Sequence, residues 1–110
     1  MSDDTAIDMW EVSIEMVPLR GSEFFGEFVG VGVFMYVPAE SIRDALNRAE
    51  EEAELQHYEV IDLDHCVRVD LEDYVPHDED YPEESEIEEA LRLNTILYGP
   101  FLGYESEMDH

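Results

Sequence analysis

Residues 28–37 read Phe28-Val29-Gly30-Val31-Gly32-Val33-Phe34-Met35-Tyr36-Val37. In an extended chain Val29, Val31, Val33, Met35 and Val37 take one side and Phe28, Gly30, Gly32, Phe34 and Tyr36 the other, the period-2 pattern of a strand. The apolar run to Pro38 is about 11 residues long and holds two glycines, well short of the roughly 20 a membrane helix needs. It is therefore a sheet element, beginning near Phe25. Upstream, Met9 to Val17 alternates in the same way, with Trp10, Val12, Ile14 and Met16 opposite Glu11, Ser13 and Glu15. Pro18 and Arg20-Gly21-Ser22 separate the two runs. That connection is too short for a parallel crossover, so the pair is predicted to be antiparallel.

Downstream, Pro38 introduces a predicted helix in which Ser41 and Asp44 form a variant capping box. Ile42, Ala45, Leu46, Ala49 and Ala53 recur at helical spacing, and the helix is expected to end near Gln56. From Tyr58 to Leu71 the period returns to two, with Ile61, Leu63, Val67, Val69 and Leu71 facing away from Asp62, Asp64, Arg68 and Asp70. This predicts a third strand, bent near Asp64-His65. Residues 72–84 form an acidic loop marked by Pro76 and Pro82. Ser85 and Glu88 form a second capping box, and Ile87, Ala90, Leu91, Asn94, Leu97 and Tyr98 extend a helical stripe to Gly99-Pro100. Phe101, Leu102 and Tyr104 are expected to fold back on the body, and 1–8 and 105–110 to be flexible. The expectation is one α+β domain over residues 1–110 in the order ββαβα. Its small antiparallel three-stranded sheet carries two helices on one face and resembles a shortened ferredoxin-like arrangement.

The chain has 110 residues with 30 Asp and Glu against five basic residues, all arginine, for a formal net charge of -25. Leu, Ile, Val and Phe make up about 27% of it, above the roughly 20% below which so charged a chain stays disordered. Phosphate-bearing surfaces carry the same sign and are repelled, so neither direct nucleic-acid binding nor membrane binding is expected. Met1 to Met9 has three aspartates and no basic residue, unlike a secretory signal. The lone cysteine, Cys66, suits a reducing compartment and a small packed-thiol role, and a cytoplasmic location is expected.

No motif carries covalent chemistry. Gly26, Gly30 and Gly32 lie in a strand with no helix after them, so they do not make a phosphate loop. His65 and Cys66 are neighbours on a strand and point to opposite faces, so they cannot act as base and nucleophile. His57, Asp62, Asp64, His65, His77, Asp78 and Asp80 offer ligand atoms, but at no spacing specific for a metal. Arg48 lies four residues from Asp44 and Glu52, and Arg92 four from Glu88, the spacing of surface ion pairs. No catalytic residue, cofactor or metal is expected.

Two partner surfaces are expected. If both helices cover the valine side of the sheet, the other face shows Glu11, Glu15, Phe28, Phe34, Tyr36, Asp62, Asp64 and Asp70, an aromatic patch framed by acids. The second surface is Asp78-Glu79-Asp80-Tyr81-Pro82-Glu83-Glu84, where acidity is densest. Such a field attracts basic proteins and speeds their encounter. The expected function is a non-enzymatic acidic inhibitor that occludes a basic protein, such as a toxin, a nuclease or another nucleic-acid-binding protein. Immunity to a toxin and DNA-mimicking anti-restriction or anti-defence activity are two forms of it. Neutralising Asp62, Asp64 and Asp70 is expected to weaken binding more than neutralising Glu50 and Glu54. The rival readings are a cytoplasmic domain whose acidity serves salt adaptation, and a small ligand-binding domain or enzyme. Both a monomer and a homodimer fit, although doubling the charge opposes association.

Overall fold

β1 (Asp8–Pro18) and β2 (Gly30–Ala39) form the antiparallel centre of the sheet, in register from Asp8 opposite Ala39 to Met16 opposite Val31. The computed structural model describes residues 7–76 and 79–104. α1 (Ile42–Leu55) follows β2, then β3 (Tyr58–Arg68), α2 (Glu84–Leu93) and β4 (Leu97–Tyr104). All strand pairs are antiparallel and the sheet runs β3-β1-β2-β4, which leaves β3 and β4 at its edges.

The architecture is α+β, with a four-stranded sheet and not three strands. Leu97 and Tyr98 fit a helical stripe in sequence, but α2 stops earlier. Asn94 takes the left-handed conformation (φ 59, ψ 45) and the Thr95 N–H donates to the Ala90 carbonyl, satisfying the helix end. The freed residues then pair with β2, so the order is ββαβαβ. At Gly103 the chains approach closely: a Cβ there would lie 2.6 Å from the Phe28 ring.

The two faces of the sheet also differ from the expectation. Val12, Ile14 and Met16 of β1 and Val31, Val33, Met35 and Val37 of β2 are buried beneath Ala45, Ala49 and Ala53 of α1. Each small alanine lets helix and sheet approach closely. α2 does not join α1 there. Its Ile87 and Ala90 are buried with Met9 and Tyr36, on the opposite side of the same two strands. The helices thus sandwich the sheet, and α2 with the loop before it covers much of the face expected to be open.

Other boundaries moved for local reasons. Pro38 pairs within β2 and does not open α1, whose N-cap is Ser41, accepting from the Asp44 N–H at 3.2 Å. Ser41→Ala should cost about 1 kcal/mol, the usual worth of such a cap, read from chemical denaturation. α2 is capped by Glu83 with Glu86, not by Ser85 with Glu88. Residues 24–28 form turns before β2. β3 stops at Arg68, and its pairing with β1 skips Ile61 and Asp64, which bulge out. Arg48 turns from its helix neighbours to donate to the Pro38 carbonyl and to Asn94 Oδ1, and Arg92 pairs with Glu89 at 3.8 Å. Among the described residues no helix is long and apolar enough to cross a membrane.

Candidate functional site

The α2-facing side of the sheet begins with a buried carboxylate. Glu11 is 7% exposed. Such a group needs donors, because an ionised side chain without them is costly to bury. The Tyr36 hydroxyl, directly across on β2, donates to Glu11 Oε2 at 2.7 Å. His65 Nε2 on β3 lies 3.1 Å from Oε1, where its N–H can donate. Burial, then the hydrogen bond to Glu11, raise the ionisation of Tyr36 well above the ordinary tyrosine range. Glu11 and Tyr36 were expected at a partner surface, yet they are interior. Their positions fit a polar brace under α2 and the loop, with Tyr74 packed beside them.

Four residues along β1 the character changes. Glu15 pairs with Gly32 on one side and with Asp62 on the other. Carboxylate atoms of Glu15, Asp62 and Asp64 lie within 4.8 Å of one another, brought together by the bulge that turns Asp64 out of the ladder. Like charges directly across a pair of strands are destabilising. Asp64 responds by holding its proton more tightly than an ordinary carboxyl, through hydrogen bonding to Asp62 first, then desolvation and the charges of Asp62 and Glu15.

This acid group borders a groove of about 220 Å³ lined also by Ser13, Gly32, Phe34, Asp80 and Tyr81. Gly32 leaves the floor open opposite Glu15. Tyr81 meets Phe34 edge-on with ring centroids 5.5 Å apart, and the His65 ring lies 6.2 Å from Phe34 on another side. The Tyr74 hydroxyl donates to the Pro82 carbonyl and braces the loop that brings Asp80 and Tyr81 to the sheet. The two surfaces expected separately therefore meet, with Glu15, Phe34, Asp64, Asp80 and Tyr81 around one groove and Asp62 beside Glu15 and Asp64.

The remaining expected site residues stand elsewhere. Asp70 is exposed past the end of β3, near Tyr74 and Val75. Glu79 is exposed in the loop, and Glu83 and Glu84 are spent on the cap and first turn of α2. Asp78 lies outside the described residues, as do 1–6, His77 and 105–110. Ser13, Gly32 and His65 belong to the site environment but were not among the expected partner-binding residues; Ser13 stands opposite both Phe34 and His65, and Gly32 opposite Glu15. Cys66 faces the other way, into the α1 side, where burial raises its thiol pKa.

Chemically the groove suits a cation with an apolar stem. Clustered carboxylates accept from guanidinium or ammonium groups, while Phe34 and Tyr81 offer ring surface to the methylene chain. The same three carboxylates are hard oxygen donors of the kind divalent ions take. The chain matches no protein-family model, no curated protein and no solved structure.

Proposed function

We propose that the protein is a non-enzymatic inhibitor that captures a basic, nucleic-acid-acting protein in the cytoplasm, using the carboxylate groove to occupy that partner's cationic surface. The observation that carries this reading is Glu15 opposite Asp62, with Asp64 drawn in beside them. Folding alone disfavours that concentration of like charge, whereas a cationic partner would relieve it. The overall charge of -25 adds long-range attraction. Toxin immunity and nucleic-acid mimicry against a defence enzyme are the forms the reading takes.

The test is capture from host lysate at about 100 mM salt, repeated at about 1 M, where screening shortens electrostatic reach to roughly 3 Å. A basic protein is expected at the lower salt and not at the higher. The triple variant Glu15→Gln, Asp62→Asn, Asp64→Asn should bind the purified partner at least about tenfold more weakly. Undiminished binding by the triple variant would remove the groove from the interface.

A second reading, salt adaptation, is favoured by acids on every side of the molecule, including Glu50, Glu51 and Glu54 on α1 and Glu84, Glu88 and Glu89 on α2, all exposed. Under that reading the fold weakens as salt falls to tens of millimolar, because repulsion is then least screened. An inhibitor from an ordinary cytoplasm keeps its structure across that range.

A further inference from the structure

We infer that β3 is a docking strand, and that an extended Arg- or Lys-rich segment of the partner adds to its outer edge as a fifth strand beside α1. The inference rests on the basic-partner reading and specifies how such a partner would be held.

β3 is an edge strand of 11 residues. Among the described residues its ladder runs to β1, and no backbone hydrogen bond to another segment covers its outer side. Proteins usually protect such edges with lysine, proline or bulges. The other edge, β4, has Pro100, which lacks an N–H, between Gly99 and Gly103. β3 has neither proline nor lysine. Its bulges at Ile61 and Asp64 interrupt the regular backbone, and its remaining protection is the negative charge of Glu59, Asp62 and Asp64. Apart from Arg68 at the end of the strand, which pairs with Asp8 at 3.9 Å, that charge has one sign. It repels a second copy of this chain at -25, but it attracts a basic strand.

The surroundings fit the same occupant on both faces. A groove of about 480 Å³ between α1 and the start of β3 is lined by Leu19, Tyr58 and Val60 together with Glu50, Glu54 and Glu59. Glu50 and Glu54 are a like-charge pair one helical turn apart, a small cost to α1 located where a ligand cation would relieve it. On the sheet's other face stand Glu15, Asp62 and Asp64. Side chains of an added strand alternate between faces, so alternate residues would meet acids on either side. The stems of arginine or lysine would lie along Leu19, Val60 and the 58% exposed Ile61. Asp62 and Asp64 on one side and Glu50 and Glu54 on the other thus flank a single strand. Neutralising either pair is expected to weaken binding comparably, which revises the ranking expected from sequence.

The experiment uses the full chain and a synthetic peptide of alternating arginine and valine, with a control of equal charge methylated at every peptide nitrogen. Amide exchange and NMR shifts are followed at low salt. The expected result is slowed exchange within Tyr58–Arg68 and at least about tenfold tighter binding of the unmethylated peptide, because only it can hydrogen-bond to the edge. The variant Glu50→Gln, Glu54→Gln should weaken that binding while leaving the fold intact. Equal binding of both peptides, or changes confined to the α2 side of the sheet, would overturn strand addition and leave the basic-partner reading standing. Binding of neither peptide would count against both.

Discussion

Replacing Ile87 with alanine is expected to lower the unfolding free energy by about 2–5 kcal/mol, the usual cost of emptying a fully buried aliphatic position. Ile87 is 0% exposed, and among the described residues it is buried with Met9, Tyr36 and Ala90 in the cluster that holds α2, with Phe34, Leu91 and Leu97 among the half-buried residues packed against it. α2 has 10 residues, fewer than the roughly 12–15 at which an isolated helix is even marginal in water. Its helicity thus depends on this contact. The variant should lose helical signal and tertiary signal together in urea, and the loss is a large share of the roughly 5–15 kcal/mol that holds a domain of this kind. Phe34, beneath the loop that precedes α2, should become more accessible. A change below about 0.5 kcal/mol, as at an ordinary surface site, would mean that α2 does not pack on this face.

Removing the Tyr36 hydroxyl should have the next largest effect. Tyr36→Phe keeps the ring in its buried position but takes away the hydroxyl that donates to Glu11. Hydrogen bonds to charged groups contribute about 1.5–3 kcal/mol, so a loss of that order is expected near pH 7. Because Tyr36 is fully buried and its ionisation raised above the ordinary value of 10.0, the folded state holds this proton more tightly than the unfolded chain. The associated stability is complete below pH 10 and falls as pH rises above it, by about 1.4 kcal/mol per pH unit for each such group. Tyr98, which donates to Glu52, contributes in the same direction. Tyr36→Phe should therefore flatten the alkaline decline by one proton's worth. An unchanged slope between the two proteins would show that the hydroxyl is not held protonated by its burial beside Glu11.

Much of the fold was legible because its elements obey a single period. The apolar side of Met9–Val17, the row Val31, Val33, Met35 and Val37 and the alanine row of α1 act as their spacing predicts, whereas Val29 lies before β2 and is exposed. β3 was harder. The odd-numbered residues Ile61, Leu63 and Val67 look like one buried face, but the bulges at Ile61 and Asp64 shift the phase, so Tyr58 and Val60 pack toward the core while Ile61, Leu63 and Val67 remain exposed. The bend expected near Asp64-His65 corresponds to the bulge at Asp64, whereas nothing in local composition announces the one at Ile61. β4 was hidden for a different reason, since Gly99, Pro100 and Gly103 erase its alternation and Leu97-Tyr98 continue a helical stripe that Asn94 ends.

The site divides along the same line. The acids Asp62 and Asp64 could be placed together from strand spacing, and Glu15 joined them once the register was known. The interior position of Glu11 could not be read, because a glutamate opposite a row of apolar residues is ordinarily solvent-facing. Its donors Tyr36 and His65 lie 25 and 54 residues away in sequence. Only the tertiary arrangement makes burial of that carboxylate affordable.

The strand order also imposes a sequence of assembly during synthesis. β1, β2, α1 and β3 are contiguous from Asp8 to Arg68, and they can build the α1 core as they leave the ribosome. β2 then has a bare flank until β4, which ends 36 residues after the last residue of β3, has been made, a wait of a few seconds at translation rates of about 5–20 residues per second. A nascent chain with such a flank is open to pairing with its neighbours on a polysome. The carboxylates already synthesised give those neighbours a mutual repulsion, so the charge that would recruit a basic partner to the finished molecule also keeps unfinished copies apart.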